Sequence, residues 1–206
     1  MPSDPQPRPA SLRLGLLGGT FDPPHLGHLA AARAVLGALG LDRVDFLPAN
    51  DPWQKTGGGR DVTPADVRLA MVRALVGDTA GLGVDDREIR RGGVTYTVDT
   101  LEDIHREMPG VELFLVVGAD TASRFHTWHR HEEVAALSTL VVVNRDHEEQ
   151  VVPSGATNVE FVHMDRVDVS STAVRAAVGE GIDVTSQVGS AVSGIIADRG
   201  LYGARR

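Results

Sequence analysis

GGTFDPPHLGH, residues 18–28, joins the end of an apolar segment to the beginning of a helical one. Residues 12–17 upstream are typical of a short strand, and residues 29–36 downstream are typical of a helix. The glycines allow backbone amides to approach an anion closely, and the first turn of a helix leaves about four amide hydrogens without intrahelical partners. His25 and His28 are three positions apart and therefore lie on one helical face. The stretch predicts a turn that binds phosphate.

The rest of the chain alternates between strand-like and helix-like segments. This order predicts an α/β fold with a Rossmann-like, doubly wound, mostly parallel sheet and helices on both faces. In open sheets of this type, ligands bind beyond the carboxyl ends of the strands, where the strand order reverses. We expect residues 12–206 to form a single domain after a flexible, proline-rich tail at residues 1–11. Further strands are expected at 44–47, 111–117, 139–143 and 159–163, and helices at 64–76, 97–108, 171–178 and 187–198.

The composition of the chain excludes several classes of protein. The chain has 206 residues, of which 42% are hydrophobic and 23% charged, so it can form an ordinary globular core. Its formal net charge of −8 argues against a nucleic-acid-binding surface, which is usually basic. The absence of cysteine excludes disulfides and thiol catalysis and is consistent with a cytoplasmic protein. Residues 1–10 lack an apolar run, so they predict neither a signal peptide nor a membrane span.

The stretch at residues 18–28 resembles the GGTFDPxHxGH signature of the nucleotidyltransferases with an HxGH motif, in the version found in nicotinate-mononucleotide adenylyltransferases. The likeness extends over almost the whole chain and ends in the sequence Gly200-Leu201-Tyr202. The resemblance implies that His25 and His28 are catalytic. The residues that it assigns to ATP binding within this turn are Gly18, Gly19, Thr20 and Phe21.

IRRGGVTYTVDTL, residues 89–101, resembles the RxGxxYTxxTL stretch that borders the pyridine-nucleotide pocket in this family. Thr97 is expected to cap the helix that follows, which leaves the adjacent amides available to a carboxylate. The resemblance implies that Tyr96 and Thr97 bind the mononucleotide. Backbone amides at a helix start would favour nicotinate, which carries a carboxylate, over nicotinamide. An ordinary capped helix is the alternative.

VVGAD, residues 116–120, ends a predicted strand, and FHTWH follows at residues 125–129. These segments are similar to the GxD and TW elements of the family. The resemblance implies that Gly118 and Asp120 bind ATP, with Asp120 at ribose hydroxyls, and that Trp128 stacks on the pyridine ring of the second substrate. A tryptophan buried in the core is the alternative interpretation of Trp128.

VSSTAVR, residues 169–175, resembles the ISSTxIR element of the family. Hydroxyl residues at a helix start supply a cap and free amides, and Arg175 returns to the helical face of Thr172. Because the planar guanidinium matches phosphate oxygens in pairs, the element predicts a second anion site. The resemblance makes Arg175 catalytic and assigns three residues to ATP, namely Ser170, Ser171 and Thr172.

Two further basic residues are candidates for substrate binding. Lys55 lies in a long connection, residues 50–62, which is typical of a lid or of a surface excursion. The family has a basic residue in this stretch that meets substrate phosphate, although a solvated surface lysine explains the sequence equally well. Arg145 follows the strand expected at 139–143 and resembles a further arginine of the family.

Together these resemblances imply one reaction, in which ATP and nicotinate mononucleotide give nicotinate adenine dinucleotide and pyrophosphate. They also imply Mg²⁺ carried by the ATP phosphates, without a metal site in the protein itself. Three alternatives stay open. The chain could adenylate another phosphorylated substrate, such as nicotinamide mononucleotide or phosphopantetheine, or it could be a noncatalytic nucleotide sensor.

Two structural questions stay open as well. His126, His129 and His131 could suggest zinc, but no cysteine and no His-x-x-x-His frame supports a closed tetrahedral site, which favours a surface turn. A homodimer is possible, since homodimers are the commonest assembly of soluble oligomeric proteins, but the sequence does not settle the oligomeric state.

Overall fold

Six parallel strands form one sheet in the order β3-β2-β1-β4-β5-β6. The computed structural model describes residues 11–51, 62–145 and 152–204, and the side chain of Arg145 lies outside this description. This architecture confirms the predicted doubly wound α/β fold. The strands are β1 (Arg13–Gly19), β2 (Arg43–Pro48), β3 (Leu82–Val84), β4 (Glu112–Gly118), β5 (Thr139–Arg145) and β6 (Val159–Met164).

Nine α-helices lie within the described residues, together with 3-10 turns at Phe125–Thr127 and Leu201–Gly203. The longest helices carry an apolar face, which they bury against the sheet. The helices are α1 (Leu26–Leu39), α2 (Ala65–Val76), α3 (Arg87–Arg91), α4 (Thr97–Glu107), α5 (Ala119–Ala122), α6 (His131–Leu137), α7 (Ser171–Gly179), α8 (Thr185–Val188) and α9 (Ser190–Asp198).

The sheet separates two apolar cores. In β4, Phe114 and Val116 belong to the core that α1, α2, α7 and α9 cover. Leu113 and Leu115 point to the opposite side and pack with residues of α4 and α6. Because successive strand residues face opposite sides, a strand covered by helices on both faces is apolar at nearly every position.

The strand order reverses between β1 and β4. One half of the sheet continues from β1 through β2 to β3, and the other half continues from β4 through β5 to β6. Such a reversal opens a crevice at the carboxyl ends of the two central strands. Gly19 ends β1 and Gly118 ends β4, so both predicted glycine turns lie at this crevice.

Several short elements differ from the sequence prediction. The predicted helix at 187–198 is wrong as a single helix, because Gly189 has φ of +82° and separates α8 from α9. The prediction also lacks β3, α3, α5 and α6, which have three to seven residues each. The tail predicted at residues 1–11 lies, apart from Ser11, outside the described residues, and the single domain at 12–206 stays a prediction.

Within the parts of the chain that the structure covers, no helix combines the length and the apolar character needed to cross a membrane.

Candidate active site

A cavity of about 640 Å³ lies at the carboxyl ends of β1 and β4. Its walls come from segments far apart in the chain, and it brings together fifteen of the seventeen residues that the sequence nominates. These are Gly18, Gly19, Thr20, Phe21, His25, His28, Tyr96, Thr97, Gly118, Asp120, Trp128, Ser170, Ser171, Thr172 and Arg175. Lys55 lies outside the described residues, and the backbone of Arg145 ends β5.

The two glycines at the carboxyl end of β1 have different surroundings. A Cβ on Gly18 would contact nothing within 4 Å, so this backbone faces open cavity. A Cβ on Gly19 would lie 2.9 Å from Cζ of Phe21, which folds back over the glycine. Phe21 itself has φ of +52°, a left-handed conformation that is unusual for a bulky residue. The backbone is thus exposed to a ligand on one side and closely packed on the other.

The two histidines form a stacked pair at the start of α1. His25 is the residue before the first helical turn, and its backbone N–H donates to Nδ1 of His28 at 3.2 Å. The ring centroids are 3.7 Å apart with an interplanar angle of 22°. Since Nδ1 of His28 accepts this hydrogen bond, Nε2 carries the proton in the neutral ring. His28 therefore presents an N–H donor while its other nitrogen satisfies the helix start.

Gly27 makes room for the histidine pair. A Cβ at this position would lie 3.1 Å from Nδ1 of His25 and 3.1 Å from Cγ1 of Val169. Both distances are shorter than ordinary van der Waals contact, so an added methyl group would require the His25 ring and Val169 to shift by a few tenths of an ångström. The glycine between the two histidines therefore allows this close packing.

The start of α7 also lines the cavity and is bonded directly to the glycine-histidine turn. Ser170 caps α7, because its Oγ accepts from the amide of Ala173 at 3.1 Å. Oγ of Ser171 donates to the carbonyl of Pro23 at 2.8 Å. Arg175 donates from Nη1 to the carbonyl of Asp22 at 2.7 Å. The first turns of two helices thus face one cavity, and the positive ends of their dipoles attract an anion.

Arg175 has the position that the sequence predicts relative to its own helix. Its Nη2 donates to Oγ1 of Thr172 at 3.1 Å, one helical turn earlier. These bonds fix the half-buried guanidinium at the cavity wall.

The other end of the cavity is aromatic. The rings of Tyr96 and His129 are 4.4 Å apart, and those of Phe125 and Trp128 are 5.6 Å apart. Trp128 is half-buried against the apolar core and still lines the cavity. A planar ring can bind against such a surface.

The predicted capping role of Thr97 is wrong. Tyr96 precedes α4 with extended φ and ψ of −115° and 130°, and Thr97 is the first helical residue. A capping side chain must come from a residue whose own backbone is still non-helical, which is Tyr96 here. The first amides of α4 keep their place at the cavity wall.

These features can be compared with known proteins. The model of the family described as cytidylyltransferase-like matches residues 16–177. A probable nicotinate-nucleotide adenylyltransferase of Corynebacterium kroppenstedtii is 40% identical over 194 residues, which cover 92% of this chain and 90% of that protein. The chain belongs to the cytidylyltransferase-like family, among the nicotinate-nucleotide adenylyltransferases. A second relative, the probable nicotinate-nucleotide adenylyltransferase of Gemmatimonas aurantiaca, is 40% identical over 199 residues, covering 93% of this chain and 92% of that protein.

Solved structures agree on the fold of this adenylyltransferase family. The nicotinic acid mononucleotide adenylyltransferase of Plasmodium falciparum complexed with NaAD superposes with a TM-score of 0.79 at 14% identity, over 94% of this chain and 98% of that chain. A putative nicotinate-nucleotide adenylyltransferase of Vibrio parahaemolyticus gives a TM-score of 0.69 at 20% identity, over 94% and 96% of the two chains. At these identities the likeness concerns the fold alone.

Sequence reasoning missed Arg68 in this adenylyltransferase site. Its side chain in α2 is only 1% exposed. The guanidinium donates to three backbone carbonyls, those of Thr20 at 2.8 Å, Asn50 at 2.9 Å and Thr63 at 2.8 Å. Burial lowers the pKa of Arg68 below its usual value, and the neighbouring Asp22 opposes this shift. Arg68 ties the glycine-histidine turn to the connections that follow β2.

Glu88 was missed as well. It is 6% exposed, lies in the short helix α3 and lines the cavity. Oγ1 of Thr100 in α4 donates to its Oε1 at 2.8 Å, and Nη2 of Arg91 donates to the same hydroxyl at 2.9 Å. Burial raises the pKa of Glu88 to about 7, although the hydrogen bond from Thr100 and the charge of Arg91 favour ionisation. No periodicity of the sequence distinguishes a five-residue helix.

The described residues were also compared with the arrangement that a bound metal ion requires. Across residues 11–51, 62–145 and 152–204, no cluster of three or more histidine and acidic residues could hold a metal ion.

Proposed function

We propose that the chain transfers the adenylyl group of ATP to nicotinate mononucleotide and so forms nicotinate adenine dinucleotide and pyrophosphate, a step in NAD biosynthesis. The observation that carries the proposal is the stacked pair of His25 and His28, which shares one cavity with the start of α7 and with Arg175. The relatives with 40% identity, which bear the name of this activity, support it.

In the proposed reaction, a 5′-phosphate oxygen of the mononucleotide attacks the α-phosphorus of ATP in line. The bond between the α-phosphorus and its bridging oxygen breaks, and the electron pair leaves with pyrophosphate. No side chain becomes covalently attached, so the protein contributes alignment and charge stabilisation. Holding two reactants in such a geometry can lower the barrier by roughly 7 to 11 kcal/mol.

Charge stabilisation at the leaving group is assigned to the glycine-histidine turn and α7. The Nε2–H of His28, the His25 ring and the first amides of α1 would face the phosphates as negative charge moves to pyrophosphate. Arg175 would contact the same oxygens from the start of α7, held in place by its bond to the carbonyl of Asp22. ATP enters as its Mg²⁺ complex, in which substrate oxygens and water supply most of the ligands of the ion.

The mononucleotide is assigned to the aromatic end of the cavity. The amides at the start of α4, around Tyr96 and Thr97, are placed for a carboxylate on the pyridine ring. Trp128 offers its indole face to that ring. Gly118 leaves space at the end of β4, and Asp120 is expected to accept hydrogen bonds from ribose hydroxyls. We propose Lys55 and Arg145 as further candidates for contacts with substrate phosphate.

The location and assembly belong to the proposal too. We propose a cytoplasmic location, which an ATP substrate and a sequence without cysteine support. A homodimer stays a prediction that a measurement of molar mass in solution would test.

A pyrophosphate-release assay with ATP tests the activity. We expect turnover with nicotinate mononucleotide to exceed turnover with nicotinamide mononucleotide or phosphopantetheine.

Trp128→Ala should raise KM for nicotinate mononucleotide roughly tenfold more than KM for ATP, because ring stacking and buried area are lost only at the pyridine. Trp128→Phe, which keeps an aromatic face, serves as the control. A preference for another acceptor would overturn the substrate, and equal effects on both KM values would remove the stacking role.

A further inference from the structure

Tyr202 contacts the glycine-histidine turn from a distant part of the chain. It lies in the 3-10 turn Leu201–Gly203, and its hydroxyl donates to Oδ1 of Asp22 at 2.7 Å across 180 residues of sequence. Asp22 is 2% exposed and lines the cavity beside His25. Oγ1 of Thr63 donates to the same tyrosine hydroxyl at a longer distance of 3.4 Å. The hydroxyl thus connects a late segment of the chain with the carboxylate in the middle of the turn.

Both ends of this connection have unusual backbone conformations. Among the described residues, only three non-glycine residues have positive φ, and two of them are Phe21 at +52° and Tyr202 at +56°. Such conformations cost free energy for bulky residues and persist only where surrounding contacts hold them. Phe21 directly precedes Asp22, so the hydrogen bond between Tyr202 and Asp22 joins the two strained segments. Strain held in this way is a common property of functional turns.

Burial of the tyrosine and the nearby carboxylate keep this hydroxyl protonated. The charge of Arg175 and the contact with Thr63 act in the opposite direction on the pKa of Tyr202, but burial has the larger effect. Burial, reinforced by the hydrogen bond to Asp22, raises the pKa of Tyr202 above its usual value. The tyrosine therefore keeps its proton and remains a donor throughout the neutral pH range.

Both the carboxylate and the backbone carbonyl of Asp22 accept hydrogen bonds from distant residues. Its carboxylate accepts from Tyr202, while its carbonyl accepts from Nη1 of Arg175 at 2.7 Å. A shift of Asp22 would consequently move the guanidinium that faces the cavity and the peptide units that lead to His25.

We propose that Tyr202 is a positioning residue for the phosphate-binding turn, which it holds through the Asp22 carboxylate. It does not touch the reacting atoms. Its effect reaches ATP through the peptide units of residues 20–25 and through Arg175, whereas the pyridine end of the cavity is built from other segments. This inference rests on the proposed function, because it assigns the turn to the phosphates of ATP.

Tyr202→Phe removes one oxygen atom and keeps the ring. We expect Kd for ATP to rise and kcat/KM for ATP to fall roughly tenfold, since the lost bond is to a charged group. KM for nicotinate mononucleotide should change by less than about twofold. ATP binding is measured calorimetrically without the second substrate, and turnover is measured by pyrophosphate release. Thr63→Val, which removes the longer contact to the same hydroxyl, is the matched control and should behave like the wild type.

A double-mutant cycle isolates the bond. Tyr202→Phe in an Asp22→Asn background should cost much less ATP affinity than it does in the wild-type background. Additive losses, equal losses for both substrates or an unchanged Kd for ATP would overturn the positioning role. A wild-type chain that binds ATP but releases no pyrophosphate with any acceptor would instead refute the proposed function. The effect of Tyr202→Phe on ATP binding would still test the role of the tyrosine.

Discussion

His28 combines two tasks in one ring, and the two can be separated. Its Nδ1 accepts from the backbone of His25, while Nε2 carries a proton. We expect His28→Asn to retain the backbone contact through its amide oxygen and to lose the Nε2 donor, whereas His28→Ala loses both. Both variants should reduce kcat about 100-fold in the pyrophosphate-release assay, as is typical when one donor to a developing charge is removed.

Thermal unfolding provides the control for this pair of variants. His28→Asn should unfold close to the wild-type temperature, because the start of α1 keeps its acceptor. If His28→Asn had wild-type kcat, His28 would serve only to satisfy the helix start, and no catalytic role would be left for its Nε2.

Apart from Lys55 and Arg145, the residues nominated from the sequence belong to short, informative motifs. The polar side chains that hold these motifs in place were not nominated. Arg68 lies 48 residues from the carbonyl of Thr20 that it bonds, and Tyr202 lies 180 residues from Asp22. Contacts over such separations depend on how the helices dock on the sheet, which no local pattern encodes.

At the scale of the element, α1 offers a matched pair of glycines. A Cβ on Gly37 would contact nothing within 4 Å, whereas a Cβ on Gly27 would press against His25 and Val169. We expect Gly37→Ala to stabilise the protein by roughly 0.5 to 1 kcal/mol, because alanine loses less backbone entropy in a helix. Gly27→Ala should gain no such stability and should lower kcat roughly tenfold by displacing the His25 ring.

Urea unfolding and the pyrophosphate-release assay on both alanine variants check this expectation. Gly37→Ala must keep wild-type kcat for the comparison to hold. Wild-type kcat in Gly27→Ala would show that the His25 ring tolerates the added methyl group.

The longer elements were predictable because their patterns span several turns or alternate within a buried sheet. β4 and α4 are examples, predicted within one or two residues of Glu112–Gly118 and Thr97–Glu107. β3 has only three residues, and α3 has five, so neither offers a full period to detect. Gly189 lies inside an apolar helical pattern, where its positive φ could not be foreseen.

At the scale of the whole molecule, Glu88 links stability to pH. Its pKa rises from 4.5 to about 7 on folding, so the folded state binds the proton more tightly than the unfolded state. The corresponding stabilisation is fully present below about pH 4.5, is lost as the pH rises through about 7, and then levels off. The shift corresponds to a loss of roughly 3 kcal/mol.

Glu88→Gln tests this dependence, because glutamine is neutral and its amide oxygen can still accept from Thr100. Urea unfolding at pH 5, 6, 7 and 8 should show that the wild type loses roughly 2 to 3 kcal/mol of stability relative to the glutamine variant between pH 5 and pH 8. A difference that stays constant with pH would mean that Glu88 is not the titrating group.

The alternation of β4 between two cores constrains how sequences of this kind can change in length. Phe114 and Val116 belong to one core, and Leu113 and Leu115 belong to the other. Inserting one residue into the strand would exchange the two sets and place every downstream side chain on the wrong side of the sheet. Evolutionary gains and losses of residues should therefore concentrate in the connections, while the lengths of the central strands stay fixed.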